Sequence, residues 1–251
     1  MKTHNRVLLI TGATGGIGTA TCLLAAEKSY DIAVHYHNND AKASKLVETL
    51  LSKGAKAISV KANLCNEKDI VRMYEKIDAA LGPLTDLVNN AGTLFSASRL
   101  DHMDAARIKE VLELNALGPM LCSKHAILRM SPRYDGKGGN IVNISSRASQ
   151  LGSPNEYVDY AASKGALDSL TVGLSLELAE ENIRVNAVRP GFIYTDIHAK
   201  SGDKNRVEKI KHKIPMKRGG EASEVANAIL WLLSDQSSFC TGSFIDVSGG
   251  K

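Results

Sequence analysis

Aromatic residues are scarce in this chain, at 5% with a single Trp, and so are Pro (6) and Cys (4) among 251 residues. Without biased tracts, that composition excludes collagen-like, coiled-coil and disordered architectures. The cysteines, Cys22, Cys65, Cys122 and Cys240, stand too far apart for CxxC or metal-ligand spacing, which argues against a disulfide-stapled miniprotein or a zinc module. Each sits among apolar neighbours and reads as a small buried hydrophobe, as suits a cytoplasmic, reducing setting. Long apolar runs are missing too. Val7-Leu8-Leu9-Ile10 is too short for a signal peptide, and no segment approaches the ~20 residues that cross a bilayer, so no membrane partner is expected. Charge of one sign is also lacking: 31 basic against 27 acidic residues leave a net +4. The one basic cluster, 204–218, is diluted by Asp203 and Glu208. It reads as a solvated helix, and no nucleic-acid partner is expected.

What remains is a regular alternation of short apolar runs with helical segments. Strands are expected over 7–10, 32–36, 57–60, ending at Asn89, and over 140–144, 183–188 and 244–247. Helices are expected over 16–28, 40–53, 67–81, 105–129, 157–181 and 222–233, with Asp40 as an N-cap. Such alternation predicts an α/β fold: a doubly wound, parallel, seven-stranded sheet with helices on both faces. Ligands of such sheets sit beyond the carboxyl ends of the strands.

Two features there carry chemistry. Thr11-Gly12-Ala13-Thr14-Gly15-Gly16-Ile17-Gly18 follows the first strand and opens a helix. Glycines let backbone approach a pyrophosphate, and a helix N-terminus offers free N–H groups. The strict GxGxxG spacing and the P-loop GK[ST] are both absent. Tyr160 and Lys164 are four apart in a helical stretch, which places them on one face. An ammonium beside a phenol favours the phenolate and lowers its pKa. Asn143-Ile144-Ser145 matches a glycosylation sequon but falls on an expected central strand and reads as chance. His35 and His37 alternate on one strand without a third ligand at suitable spacing, so no metal is expected.

Taken together, the motifs resemble the short-chain dehydrogenase/reductase family, in its single-domain branch of about 250 residues. They are Thr11-Gly12-xxx-Gly16-x-Gly18, Asn89-Asn90-Ala91-Gly92, Asn115, Ser145-Ser146, Tyr160-xxx-Lys164, Pro190-Gly191 and the ending Thr241-Gly242-Ser243-Phe244-Ile245-Asp246. The chain is similar to 3-oxoacyl-carrier-protein reductases and glucose-dehydrogenase-like members. The resemblance implies a Rossmann-type domain over 1–251, with a substrate lid at 195–218. It implies Tyr160 as general acid and base, Lys164 tuning it and bonding the nicotinamide ribose, and Ser146 donating to the substrate oxygen. Asn115 would hold a relay water. Gly12, Thr14, Gly16, Ile17 and Gly18 would cradle the pyrophosphate. Asn63 and Leu64 would meet adenine; Asn90, Ala91, Gly92, Pro190, Gly191, Ile193 and Thr195 would shape the rest of the cofactor site. The partners implied are a small carbonyl or alcohol substrate and three further copies in a homotetramer.

Pro119 supports one of these roles independently. It lacks the N–H that the Asn115 carbonyl, four residues back, would accept, so the helix should open there. Other positions depart from the pattern. Arg147 occupies the usual place of the catalytic serine, and a one-residue insertion in the loop 147–156 restores that role to Ser146. Ser145 is weaker, because adjacent strand residues face opposite sides, and Ser149 lies on the loop. Ala62-Asn63-Leu64 lacks the usual acid near adenine, though an amide oxygen can still accept from N6. Tyr157 has Ala161 four residues on and is read, with Leu151, Phe192 and Tyr194, as pocket wall. At the end of the second strand no carboxylate is well placed to repel a 2′-phosphate, and His37 and Asn38 can donate to one, so NADP is expected over NAD. Gly15, where many NADP-preferring relatives carry Arg or Lys, argues the other way. The alternatives to an NADP(H)-dependent oxidoreductase are a non-catalytic redox-sensing regulator and a same-fold epimerase or dehydratase.

Overall fold

The computed structural model describes residues 6–195, 202–203 and 205–251. Seven parallel strands form one sheet in the order β3-β2-β1-β4-β5-β6-β7. They are β1 (Val7–Ile10), β2 (Asp31–Tyr36), β3 (Ala57–Lys61), β4 (Asp86–Asn89), β5 (Gly139–Ile144), β6 (Ile183–Pro190) and β7 (Phe244–Val247). After β3 the chain returns to the middle of the sheet, so strand order reverses between β1 and β4. That switch point opens a crevice at the strands' carboxyl ends.

The apolar runs are buried on both faces because helices cover both. Leu8 and Ile10 pack with Ile32, Val34, Val142 and Val188 under α1 (Gly16–Ala26) and the helix Ala222–Leu233. Val7 and Leu9 point the other way and join Leu87, Ile141 and Val185. That second face is closed by α3 (Glu67–Leu81), whose Ile70, Met73, Tyr74, Ile77 and Leu81 form one buried stripe. Each of these large side chains contributes about 1.5–3 kcal/mol by leaving water. Below the sheet, Asp86 is fully buried and takes Arg6, Thr85 and Asn140 as partners. This clamp lies at the amino ends of the strands, away from the crevice.

Several local expectations are refined. Helix α2 (Asp40–Ser52) is capped by Asn39, whose side chain accepts the Lys42 N–H at 3.0 Å, and not by Asp40. Asp40 instead accepts from the Tyr36 hydroxyl at 2.8 Å and pairs with Lys61. The single helix expected over 105–129 is two, α4 (Ala105–Leu112) and α5 (Gly118–Met130), joined by a widened π-type turn, Glu113–Leu117. There the Gly118 N–H reaches the Glu113 carbonyl five residues back, the disruption that a proline at 119 requires. A short helix, α6 (Ala148–Leu151), replaces part of the expected loop, and α7 (Val158–Glu177) ends in a tighter turn, Ala179–Glu181. Arg206–Ile210 forms α8. Of the four cysteines, Cys22 and Cys122 are buried, whereas Cys65 and Cys240 are only partly so.

His35 has a role that the sequence did not suggest. Its Nδ1 accepts the Gly12 N–H at 2.9 Å, and its Nε2 lies 3.1 Å from the Ala62 carbonyl. The first contact requires a bare Nδ1, so Nε2 carries the proton and donates. The neutral ring thus ties the glycine turn to the end of β3. Burial pushes His35 down to about 4, whereas an unfolded histidine titrates near 6.5. Between those values the unfolded chain binds a proton that the fold excludes, so stability falls as pH drops from about 6.5 to about 4, by about 3 kcal/mol. We expect denaturant unfolding of His35→Asn across this range to lack that component of the acid slope; a slope unchanged from wild type would refute it.

Candidate active site

The crevice is a cleft of about 690 Å³ running over the ends of the central strands. Gly12, Thr14, Gly16, Ile17, His37 and Asn38 line its outer part, with Asn63 and Leu64 beside them. Asn90, Ala91, Gly92, Ser146, Tyr160 and Lys164 line the middle, and Pro190, Gly191, Ile193 and Thr195 the far wall. Of the residues expected to bind cofactor or take part in the chemistry, Gly18 and Asn115 do not line it. Gly18 is spent on packing: a Cβ there would lie 2.7 Å from Ala13 Cα and 2.9 Å from Asn90 Nδ2. It sets the approach of α1 to the sheet rather than cradling a ligand.

The turns after β1 and β4 are knit together. Thr11 Oγ1 accepts the N–H groups of Asn90 (2.9 Å) and Ala91 (3.0 Å). Asn90 Nδ2 donates back to the carbonyls of Thr11 (2.8 Å) and Gly12 (3.0 Å). Gly12 is left-handed at φ +61°, and a Cβ on it would sit 2.9 Å from Ala91 Cα. At Gly16 a Cβ would come within 2.8 Å of Thr195 across the cleft. Helix α1 starts with no side-chain cap and no acid in its first turn, so its N–H groups and positive end remain available to an anion. This cradle, which a side chain would fill, fits the pyrophosphate of a dinucleotide.

Tyr160 and Ser146 both line the cleft, with the Ser146 hydroxyl near enough to the Tyr160 phenol to favour its ionised form. Lys164 Nζ lies 5.6 Å from the Tyr160 ring centroid and donates to the Ile144 carbonyl at 2.7 Å. The expectation of a lowered phenol pKa is not met. Burial pushes Tyr160 up to about 12, opposed by the Ser146 hydrogen bond, and pushes Lys164 down to about 8, opposed by Asp168. Burial is the largest influence on both groups, and no contribution from the ammonium offsets it at Tyr160. Asn115, fully buried in the widened turn, accepts the Thr93 N–H (2.8 Å) and donates to the Thr93 carbonyl (3.0 Å) and Ser163 Oγ (3.1 Å). Its side chain clamps the loop after β4 to α7.

The neighbouring candidates separate by orientation. Ser145 is buried and aims its hydroxyl at the Lys164 carbonyl, Ser149 bonds the Ser146 carbonyl, and Arg147 pairs with Asp246. Leu151, Tyr157 and Phe192 line the cleft as expected; Tyr194 does not, because its hydroxyl donates to Glu208 at 2.7 Å. Asn63 lines the cleft, but its Oδ1 already accepts the Cys65 N–H at 3.0 Å, leaving one lone pair. His35, Lys42, Glu156, Arg206 and Lys251 also line it and were not anticipated. Only Lys42 and Arg206 had a local signal, the first in the opening turn of α2 and the second in the basic cluster. Of the lid stretch 195–218, residues 196–201 and Lys204 lie outside the described residues. Described charges there are mostly paired: Arg206 with Glu156, Lys209 with Asp203, Lys211 with Glu208 and Arg218 with Glu224.

Comparison with known proteins agrees with this geometry. The family model described as Enoyl-(Acyl carrier protein) reductase matches residues 12–251. An uncharacterized oxidoreductase of Escherichia coli (strain K12), YgfF, is 52% identical over 245 residues, covering 98% of this chain and 99% of the relative. The 3-oxoacyl-[acyl-carrier-protein] reductase FabG of Staphylococcus aureus (strain Mu50 / ATCC 700699) is 34% identical, with 96% of each chain covered. A crystal structure of a short-chain type dehydrogenase/reductase from Mycobacterium marinum superposes with a TM-score of 0.91 at 29% identity, covering 98% of this chain and 94% of that one. The matched motifs gathered in one cleft, and relatives aligned along nearly the whole length, establish that the chain belongs to the short-chain dehydrogenase/reductase family of NAD(P)-dependent oxidoreductases.

Proposed function

We propose that the protein interconverts a carbonyl and a secondary alcohol using NADP(H), with Tyr160 as general acid in reduction and general base in oxidation. The observation that carries this reading is that the Tyr160 phenol, the Ser146 hydroxyl and Lys164 line one cleft, with Lys164 Nζ 5.6 Å from the Tyr160 ring centroid. Two such groups can meet one substrate oxygen and stabilise charge as it develops there. The nicotinamide, when bound, supplies or accepts the hydride. At neutral pH the buried phenol is protonated and serves as a donor. As it gives up its proton, the nearby Lys164 ammonium stabilises the phenolate. Asn115 fixes the loop and helix that frame the pair, and Thr195 closes the nicotinamide end. The stretch 195–218 serves as a substrate lid, and its Thr195 and Arg206 line the cleft.

The NADP assignment rests on the end of β2. Asp40, the nearest acid, is engaged by Tyr36 and Lys61 and does not line the cleft, whereas His37, Asn38, Asn39 and Lys42 do. Donors and a cation there suit a 2′-phosphate. A homotetramer is supported by exposed Leu112, Leu117, Met120 and Leu128 on α4, the widened turn and α5. Val172 and Leu176 (77% exposed) lie on α7, which packs against α4 and that turn. Phe239, fully exposed before β7, offers a second apolar surface. No helix among the described residues is long and apolar enough to cross a membrane, and a cytoplasmic location accords with the free thiols.

Three outcomes test this reading. Tyr160→Phe should lower kcat on the order of 100-fold or more while retaining cofactor binding by nicotinamide fluorescence; undiminished turnover would remove Tyr160 from the chemistry. The kcat/KM for NADPH should exceed that for NADH by about tenfold or more, and Lys42→Ala should narrow the gap; an NADH preference would reverse the assignment. Native mass spectrometry should find four 26.9-kDa chains, and Leu176→Glu should yield smaller species. A wild-type monomer would refute the tetramer.

A further inference from the structure

Resting on the Tyr160–Lys164 reading, we infer that Asp168 is a positioning residue of the reaction: anchored by Arg189 one helical turn beyond Lys164, its carboxylate holds that lysine in the ammonium form that the phenolate needs. Asp168 follows Lys164 by four positions on α7, which puts both side chains on one face of the helix, about 5–6 Å apart at Cβ. Arg189, near the end of β6, donates to Asp168 from Nε at 3.0 Å and from Nη2 at 2.9 Å. Arg189 is fixed in turn by β7. Its guanidinium lies 3.9 Å from the Phe244 ring centroid, and its Nη1 is 4.0 Å from Asp246 Oδ1. The side chains of Arg189 and Asp168 are only 12% and 15% exposed.

The way this pair is made points back at the lysine. Both Arg189 bonds converge on Asp168 Oδ2, whereas a fork-to-fork pair would use one carboxylate oxygen for each nitrogen. Oδ1 is buried and accepts no hydrogen bond from the described residues. A carboxylate kept out of water with one oxygen unmatched costs the fold free energy, and its neighbour on α7 gives the reason. Lys164 is 3% exposed, and its Nζ donates to the Ile144 carbonyl at 2.7 Å. Burial favours its neutral amine and draws it down to about 8, and Asp168 is the charged group that opposes this. The other elements around Nζ bring no second charge to bear. A Cβ on Gly92, in the loop after β4, would lie 3.6 Å from Nζ and 3.3 Å from Asn115 Oδ1, a neutral amide of the widened turn. Arg147, after β5, is turned to Asp246. Tyr160, the remaining titratable neighbour, is protonated at neutral pH. With Asp168 uncharged, Lys164 would lose its proton at a lower pH, and near neutrality a Tyr160 phenolate would lack its counter-charge.

Two single variants break the same ion pair and differ in which charge survives. The test follows the Lys164 Cε resonance in protein carrying carbon-13-labelled lysine, identified by its loss in Lys164→Met, and titrates it without substrate from about pH 5 to about pH 10. In Asp168→Asn the midpoint should fall by about one unit or more from the wild-type value. In Arg189→Gln, which keeps the acid, it should not fall. The double variant Asp168→Asn/Arg189→Gln retains the balance of charge and should show the same fall as Asp168→Asn, so loss of folding in a single variant leaves the comparison intact. A midpoint unmoved when Asp168 is replaced, or lowered equally in Arg189→Gln, would reduce Asp168 to a packing partner of Arg189 and overturn the inference while leaving the catalytic reading standing. Undiminished turnover in Tyr160→Phe would overturn the catalytic reading, and the part given to Asp168 with it.

Discussion

The Thr11 hydroxyl accepts two backbone N–H groups from the turn after β4, and the Asn90 amide answers by donating to the two carbonyls that open the glycine turn. This reciprocal knot sits where the sheet reverses direction, and the cleft's geometry follows from it. It sets how far β1 and β4 diverge, allows Gly12 its left-handed turn against Ala91, and aims the uncapped start of α1 across the crevice. His35 extends the knot sideways by linking the same turn to β3. These are short backbone-centred bonds in partly buried surroundings, where an unpaired partner is costly. The floor of the cleft is therefore a rigid polar lattice and not a flexible loop.

Burial, more than charge pairing, governs the electrostatics above that floor. Tyr160 and Lys164 are both pushed toward their neutral forms, yet at neutral pH the phenol is protonated and the lysine still mostly an ammonium. The basic cluster on the lid side shows the complementary behaviour. Four of its described cations, Arg206, Lys209, Lys211 and Arg218, find acids within reach.

Much of this was legible in the sequence because it depends on local geometry. Apolar runs gave the strands within a residue or two. The missing N–H of Pro119 implied a broken helix, and the widened turn at Glu113–Leu117 meets that requirement. Strand alternation separated Ser146 from Ser145, and the Ser145 hydroxyl is indeed taken up by the Lys164 carbonyl, although both residues line the cleft. What stayed hidden depends on distant parts of the chain. His35 is recognisable only once β1, β2 and β3 lie side by side. Lys251 reaches the pocket from the far end of the chain. The Tyr160 pKa reverses direction because desolvation is a sum over the whole surroundings and leaves no mark in a four-residue spacing. Asn39 in place of Asp40 as cap is a finer matter, in which the tyrosine hydroxyl and Lys61 draw the acid away.

The near-contact between Gly16 and Thr195 makes the width of the crevice depend on one missing carbon atom. Even a single methyl group at position 16 would lie 2.8 Å from the Thr195 side chain, so any larger residue there must push the start of α1 and the stretch after β6 apart. The bore of the crevice at this point is thus written into the chain as an absence.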